Sequence, residues 1–264
     1  MTQIRRQSQR HRKREKNRRN GEAWHPARTA QVSRKRPIAM ALALDATTTL
    51  SSGRHDWREQ YDVVAGDQKP CQSCTAFAVA AAITLQSQID GNRLSVSPGY
   101  LHTCVGLSGE RDKNVICASS SDPRLMLEAL RDRGWPQEAS NDYPYPPTAC
   151  QVGGPQSQLR EFPTINSEAA AKKALGRGPL VSAMRAPPAF FTFRGTVFRS
   201  SPSTNATLHT ICVIGYDSRG WIILNSNGAE WGDGSGCATI NYRSCNLLDF
   251  RPGLTKLQAY ALIL

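Results

Sequence analysis

The sequence lacks any apolar run that approaches about 18 residues, the length that a helix needs to cross a membrane. Its first residues also lack the apolar core of a standard secretory signal peptide. The eight cysteines include a single Cys-x-x-Cys unit, at residues 71–74, whereas zinc sites are usually built from two such units. We therefore expect no membrane span, no bound metal and no cofactor.

Acidic residues are scarce at the start of the chain. Residues 1–36 contain two Glu against thirteen Lys and Arg, and so carry about +11 of the formal net charge of +12. The basic run at residues 10–19 contains no aromatic residue, which argues against a platform for stacked bases. Because such a run repels itself, we expect residues 1–50 to be a partly disordered pro-segment or leader. Contact with a polyanion through residues 1–36 is the alternative.

The pattern of apolar residues changes from helical to strand-like along the chain. Each helical segment has a recognisable start, such as Asp122 as an N-cap residue before Pro123. Three helices are predicted, over 74–89, 123–133 and 168–175. Strand-like runs follow at 180–184, 208–213, 221–224 and 237–240. Helices first and strands later indicate an α+β protein with two lobes.

Cys74 lies at the start of the first predicted helix. A thiol in that position is near the positive end of the helix dipole, which favours the nucleophilic thiolate. Gln68, six residues upstream, offers an amide N–H to a developing oxyanion. A histidine, His209, and an asparagine, Asn225, follow in strand-like contexts. Together these residues predict an enzyme with a nucleophilic cysteine.

Six segments, in the same order along the chain, resemble motifs of the papain-like cysteine peptidase family. Residues 68–77 are similar to its pattern Q-G-x-C-G-S-C-W-A-F, residues 208–216 to D-H-A-V-x-x-V-G-Y and residues 223–232 to K-N-S-W-G-x-x-W-G. The resemblance extends over about residues 54–245, with shorter matches at 56–58, 142–145 and 194–198.

This resemblance implies a papain-like fold with a helical lobe, a β-barrel-like lobe and the active site in the cleft between them. It places the peptidase domain at residues 51–264, with the helical lobe at about 68–155 and the β lobe at about 160–250. The implied activity is that of a monomeric endopeptidase acting on peptides or proteins. Cys74 is then the nucleophile, His209 its acid and base, Asn225 the residue that orients His209, and Gln68 an oxyanion donor.

The resemblance also implies two disulfides, Cys71–Cys117 and Cys104–Cys150. Paired cysteines favour an oxidising compartment, so we expect a protein that is secreted or otherwise exported. Cys212 lies in an apolar strand and is expected to be a buried thiol. Whether Cys237 pairs with Cys245 stays open.

The sequence departs from the family at positions near the site. Thr75 and Asn227 stand where the family usually has Trp, and Leu208 stands where Asp is common. Loss of the second Trp predicts weaker shielding of the His–Asn hydrogen bond and reduced activity. Ser119 and Ser120 replace a Gly-Gly pair, which predicts a reshaped cleft. The residues that the resemblance suggests for substrate contact are Ser119, Ser120, Ala183, Met184, Thr207, Leu208 and Trp231.

Three alternatives remain at this point. The departures are compatible with an inactive or weakly active family member that binds peptides. The same scaffold also suits an acyl or amide transferase. In the third alternative the basic segment is the functional part, and the folded domain accompanies it.

Overall fold

The structure is a computed structural model that describes residues 53–136, 156–201, 203–254 and 257–264, together with Tyr143 and Cys150. The predicted basic extension, residues 1–50, lies outside the described residues. No helix in the described part of the chain combines the length and the apolar character that crossing a membrane requires.

Helices occupy mainly the first half of the described chain. The α-helices are α1 (Cys74–Ile89), α2 (Pro98–Tyr100), α3 (Lys113–Ala118), α4 (Pro123–Arg133), α5 (Glu168–Leu175) and α6 (Pro188–Phe191). A 3-10 turn at Trp57–Glu59 and a π-helical turn at Leu101–Gly106 complete the helical elements of these residues.

Strands dominate the second half. They are β1 (His55–Asp56), β2 (Trp135–Pro136), β3 (Gln156–Ser157), β4 (Leu180–Ala186), β5 (Val197–Phe198), β6 (Thr207–Tyr216), β7 (Gly220–Leu224), β8 (Cys237–Asn241) and β9 (Ala259–Ala261). Seven of them form one sheet in the order β5-β8-β7-β6-β4-β9, with β1 also paired to β6. The β5–β8 pair is parallel and the other pairs are antiparallel, so the sheet is mixed. Helices beside a mixed sheet confirm the predicted α+β class.

The three helices predicted from sequence are α1, α4 and α5, with the predicted bounds. The start of α4 shows why the sequence pattern succeeded. The Asp122 carboxylate accepts hydrogen bonds from the backbone N–H groups of Arg124 and Leu125, which satisfies two donors that the helix itself leaves free. At the other end Gly134 has a φ of +70°, and a Cβ there would lie 2.4 Å from the carbonyl oxygen of Ser157. Glycine is therefore required where the chain leaves α4.

The sheet carries an apolar layer on each face. Along β6, Cys212 and Ile214 pack into a cluster that includes α1 and α4, whereas Ile211 and Val213 pack into a second cluster with α5 and α6. This alternation is the two-residue period of a strand that is buried on both faces. Thr210 shares the parity of Cys212, so the strand directs it towards α1.

The β lobe reaches beyond the limits expected from sequence. Near the start of the described chain, β1 pairs with β6, and near its end β9 pairs with β4. Both segments lie outside 160–250, because β9 forms one edge of the sheet and β1 pairs with the central strand β6.

Candidate active site

Cys74 is the first residue of α1, and a disulfide anchors the loop that precedes it. Cys71 is bonded to Cys117, and the N–H of Gln72 donates to the Cys117 carbonyl at 3.1 Å. The first turn of α1 contains no acidic residue, and Ser73 makes no side-chain capping bond. The positive end of the helix dipole is therefore not neutralised by a carboxylate from that turn, and the partly exposed Cys74 thiol lies at this end.

His209 and Asn225 form the second part of the site. The strand pairing of β6 with β7 matches Cys212 with Leu224, so His209 near the start of β6 and Asn225 just after β7 lie at the same end of the sheet. His209 Nε2 and Asn225 Oδ1 are 2.8 Å apart, and both side chains are buried. An amide oxygen only accepts, so the imidazole donates from Nε2 and its Nδ1 is left for another partner.

His209 is also the side chain that does most to favour the thiolate form of Cys74. Burial acts to raise the pKa of the Cys74 thiol, but a hydrogen bond from His209 and the charge of its imidazolium outweigh burial. Hydrogen bonds from the backbone N–H and the hydroxyl of Thr210 act in the same direction, and the net result is a pKa below the ordinary value of the thiol. A lowered pKa increases the fraction of thiolate, the reactive form.

Aromatic rings cover the imidazole. The rings of Phe190 and Phe191, both on α6, lie 5.6 Å and 5.3 Å from the His209 ring and meet it at steep angles. Trp231 Nε1 donates to the Phe190 carbonyl at 2.7 Å and so holds this part of the helix in place. The weaker shielding predicted from Asn227 concerns the hydrogen bond between His209 and Asn225, whereas these two rings pack on the imidazole itself.

Gln68, in the loop before α1, is held by several hydrogen bonds. Its Oε1 accepts from the Ser226 hydroxyl at 2.6 Å, and its Nε2 donates to the Cys71 carbonyl at 2.7 Å. Its backbone carbonyl accepts from the Tyr143 hydroxyl at 2.6 Å. The Gln68 side chain thus connects the loop before α1 with the segment after β7.

Three contacts at the site were not anticipated from sequence. Asn225 Nδ2 donates to Asn227 Oδ1 at 2.8 Å, the Thr75 and Thr210 hydroxyl oxygens are 3.0 Å apart, and Tyr143 contacts Gln68 as described above. Strand alternation alone could have directed Thr210 towards α1. The other two contacts depend on loop conformations that leave no periodic signal in the sequence.

The residues suggested for substrate contact fall into two groups. Leu208 is 66% exposed at the start of β6, and Ser119, Ser120, Ala183 and Thr207 also retain exposed surface. The side chains of Met184 and Trp231 are completely buried in the cluster with α5 and α6. Those two leave no surface for a substrate, because strand alternation turns Met184 inward and the Phe190 carbonyl holds Trp231. Trp231 packs against Phe190 and Phe193, and Phe190 in turn packs against His209.

The remaining cysteines form one further disulfide and three buried free thiols. Cys104 is bonded to Cys150, whereas Cys212, Cys237 and Cys245 are free and buried. Cys237 and Cys245 therefore do not pair with each other. Burial raises the pKa of all three thiols, which leaves them protonated and unreactive at neutral pH. The described residues contain no group of three His, Cys, Asp or Glu arranged to hold a metal ion.

Comparison with known proteins gives a consistent assignment. A sequence model described as "Papain family cysteine protease" matches residues 51–249. A cathepsin L-like proteinase from Phaedon cochleariae is 30% identical over 203 residues, which is 72% of this chain and 60% of that protein. Cathepsin K from Gallus gallus is 29% identical over 191 residues, or 67% of this chain and 55% of that protein. The chain thus spans little more than half the length of these relatives.

Solved structures show the same fold. A cysteine protease of Carica candamarcensis, CMS1MS2, solved in complex with E-64, superposes with a TM-score of 0.64 at 23% identity, and covers 80% of this chain and 97% of its own. Bromelain from Ananas comosus, also in complex with E-64, gives a TM-score of 0.65 at 22% identity, with 80% of this chain and 99% of its own covered. The chain belongs to the papain family of cysteine proteases.

Proposed function

We propose that this protein is a cysteine-type endopeptidase in which Cys74, His209 and Asn225 hydrolyse peptide bonds. The observation that supports this most is the 2.8 Å hydrogen bond between His209 and Asn225, together with the effect of the His209 imidazole, which acts to lower the pKa of the Cys74 thiol. These groups suit nucleophilic catalysis by a thiolate–imidazolium pair.

Acylation begins when the Cys74 thiolate attacks the carbonyl carbon of the scissile bond and forms a carbon–sulfur bond. The negative charge moves to the carbonyl oxygen, where the backbone N–H of Cys74 and Nε2 of Gln68 stabilise it. One N–H of the Gln68 amide donates to the Cys71 carbonyl, and its second N–H is the donor for the oxyanion. The His209 imidazolium then protonates the leaving nitrogen, the carbon–nitrogen bond breaks, and a thioester and a free amine remain.

Deacylation uses the same residues in reverse. Neutral His209 takes a proton from water, whose oxygen attacks the thioester carbonyl. The carbon–sulfur bond breaks, the product leaves with a new carboxyl group, and the sulfur departs as thiolate beside the imidazolium. Throughout this cycle Asn225 accepts from Nε2 and keeps Nδ1 directed towards sulfur and substrate.

The substrates are peptides or proteins that lie across the exposed start of β6. Leu208 offers an apolar surface there and Thr207 a hydroxyl group. Ser119, which is half-buried, and Ser120, which is exposed, follow the end of α3. Side chains at positions 119 and 120 occupy space that glycine would leave free, so these residues restrict how closely a substrate backbone approaches.

The test uses the full-length chain with a peptide library and reads new termini by mass spectrometry. We expect internal cleavage and covalent labelling by E-64, both lost in Cys74→Ala. The matched control is Cys212→Ala, which removes a buried, unreactive thiol and leaves both signals unchanged. Labelling without cleavage, or products in which an amine instead of water has captured the acyl group, would overturn the proposal in favour of a weak peptide binder or a transferase.

Residues 1–50 are proposed to act as a pro-segment or leader of the domain at 51–264. Deleting them is expected to raise the rate of peptide cleavage, and an unchanged rate would argue against an inhibitory role. The charge of residues 1–36 also supports contact with a polyanion, tested by salt-dependent retention on heparin that the same deletion abolishes. The two disulfides support export to an oxidising compartment, and a monomer is proposed in solution.

A further inference from the structure

The phenol of Tyr143 contacts two parts of the loop that leads into α1. Its hydroxyl oxygen lies 2.6 Å from the backbone carbonyl oxygen of Gln68 and 2.5 Å from the hydroxyl oxygen of Ser73. Ser73 is completely buried and immediately precedes Cys74. The ring of Tyr143 packs edge to face against Phe77 of α1, with the ring centroids 4.9 Å apart. Tyr143 therefore connects the residue proposed as oxyanion donor with the residue before the nucleophile.

The direction of both hydrogen bonds follows from counting protons. A carbonyl oxygen only accepts, so the single hydroxyl proton of Tyr143 is donated to Gln68. The phenol oxygen is then the acceptor in its pair with Ser73. The Ser73 hydroxyl also lies 3.5 Å from the Cys71 carbonyl oxygen, which is a much longer contact. Ser73 thus donates to Tyr143, and Tyr143 donates to Gln68.

The carbonyl that accepts from Tyr143 belongs to the peptide group between Gln68 and Lys69. On the other side of this group the Lys69 N–H donates to the Asp67 carboxylate at 2.9 Å. Lys69 has a φ of +50°, in the left-handed region that a residue with a Cβ adopts only at an energetic cost. Such a conformation persists where the surrounding structure holds it. Tyr143 and Asp67 hold the two polar ends of this peptide group and so fix its orientation.

The backbone at Gln68 determines where its side chain can point. The side-chain oxygen accepts from Ser226 and one N–H donates to the Cys71 carbonyl, so the second N–H is the one proposed to stabilise the oxyanion. We propose that Tyr143 is a positioning residue for this donor, with its hydroxyl fixing the backbone of Gln68 and Ser73 orienting that hydroxyl. This inference deepens the proposed peptidase function and rests on it. No covalent bond of Tyr143 or Ser73 is made or broken.

The test is Tyr143→Phe in the full-length chain, which removes the hydroxyl and keeps the ring. The Gln68 carbonyl still accepts from the Cys71 N–H at 3.2 Å, so we expect the variant to fold. A misplaced donor weakens stabilisation of the transition state, so kcat should fall about tenfold with little change in KM. Tyr242→Phe is the matched control. Its hydroxyl also donates to a backbone carbonyl, that of Asp217, and its loss should leave kcat unchanged.

Two reagents distinguish a misplaced oxyanion donor from a general defect at Cys74. The sulfur adds to the aldehyde carbon of leupeptin, a peptide aldehyde, and the carbonyl oxygen of the resulting hemithioacetal takes the oxyanion position. Iodoacetamide is attacked with loss of iodide and forms no oxyanion. In Tyr143→Phe we expect the affinity for leupeptin to fall about tenfold and the rate of alkylation to match the wild type. An unchanged affinity, or an equal fall in the rate of alkylation, would overturn the inference.

Further variants show whether Tyr143 acts through Gln68. In a chain that already carries Gln68→Ala, adding Tyr143→Phe has no donor to misplace and should lower kcat by less than about threefold. An undiminished tenfold loss there would also overturn the inference. Ser73→Ala removes the bond that orients the Tyr143 hydroxyl, and should lower the affinity for leupeptin about threefold at an unchanged rate of alkylation. This comparison decides the matter if Tyr143→Phe does not fold.

The outcome is separable from that of the proposed function. A wild type that binds leupeptin without cleaving peptides, and that responds to Tyr143→Phe as expected, would refute the endopeptidase and retain the role of Tyr143. A wild type that cleaves peptides but does not respond to Tyr143→Phe would refute that role and retain the endopeptidase. A wild type that neither cleaves peptides nor binds leupeptin would refute both.

Discussion

Asn225 donates from Nδ2 to Oδ1 of Asn227 at 2.8 Å, while its Oδ1 faces His209. The nitrogen of the Asn225 amide is thus hydrogen-bonded to Asn227, and its oxygen to His209. If the Asn225 amide alone were reversed, its oxygen would face the oxygen of Asn227 and its NH₂ group would face the Nε2–H of His209. Asn227 thus favours the orientation in which His209 keeps its proton on Nε2.

The first prediction concerns Asn227. In Asn227→Ala the Asn225 amide loses its second partner, a loss of about 0.5–1.5 kcal/mol, so kcat/KM should fall about three- to tenfold. In Asn227→Asp the carboxylate can only accept, so the orientation of Asn225 is kept and kcat/KM should stay within about threefold of the wild type. Steady-state kinetics on a peptide substrate measure both. An aspartate variant as impaired as the alanine variant would contradict the role of Asn227 as an acceptor.

The second prediction concerns the oxyanion donor. Gln68→Ala should lower kcat by about 10²- to 10³-fold with little change in KM, since the donor acts on the transition state. Ser226→Ala removes the 2.6 Å bond that holds Oε1 of Gln68 and should lower kcat by about tenfold. Both variants should be alkylated at Cys74 at the wild-type rate, because neither residue stabilises the thiolate. A rise in KM at constant kcat would instead assign Gln68 to substrate binding.

Local sequence signals predicted much of the fold. Asp122 and Gly134 mark the two ends of α4, and the apolar run after Cys74 predicts α1 over its full length. These features depend on interactions within a few residues, and such interactions are visible in the sequence. The pairing of β1 and β9 with the central strands was not predicted, because it joins segments far apart in the chain.

The candidate site, like the fold, could be predicted only in part from the sequence. Cys74, His209 and Asn225 stand in motifs, and the structure brings the three together. Phe190 and Phe191 cover the imidazole from a short helix that carries no motif, so their role was not visible in sequence. Met184 was expected to contact substrate, but its position in β4 turns it into the core. Motifs identify the reacting groups, whereas the surroundings that tune them depend on tertiary packing.

The third prediction compares the two disulfides. Each joins cysteines 46 residues apart, so the loop-closure argument gives both about the same stabilisation, roughly 4 kcal/mol. Replacing either pair by serine should therefore lower the free energy of unfolding by similar amounts in urea titrations. The two double variants should differ in catalytic activity, because the Cys71–Cys117 disulfide anchors the loop between Gln68 and Cys74. We expect kcat/KM to fall in Cys71→Ser/Cys117→Ser under conditions where both variants remain folded. Equal losses of activity in the two double variants would contradict a special role of that loop in catalysis.

The fourth prediction concerns His102, which is completely buried beside the Cys71–Cys117 disulfide. Its Nε2 lies 2.8 Å from the Ile116 carbonyl oxygen, and its Nδ1 has no hydrogen-bond partner among the described residues. Burial lowers the pKa of His102, and the bond to Ile116 opposes this only in part. Between that lowered pKa and about 6.5 the unfolded chain binds more protons than the folded one. The free energy of unfolding must therefore decrease as the pH falls through this window.

His102→Gln tests this dependence, because the glutamine amide can still donate to Ile116 but does not titrate. Urea titrations at a series of pH values should show a shallower loss of stability below about pH 6.5 in the variant than in the wild type. Burial also lowers the pKa of His55, so part of the slope should persist until His55→Gln is added. If the wild type and His102→Gln lose stability in parallel from pH 7 to pH 5, a range chosen about the ordinary histidine pKa, then His102 is not the group whose protonation destabilises the fold.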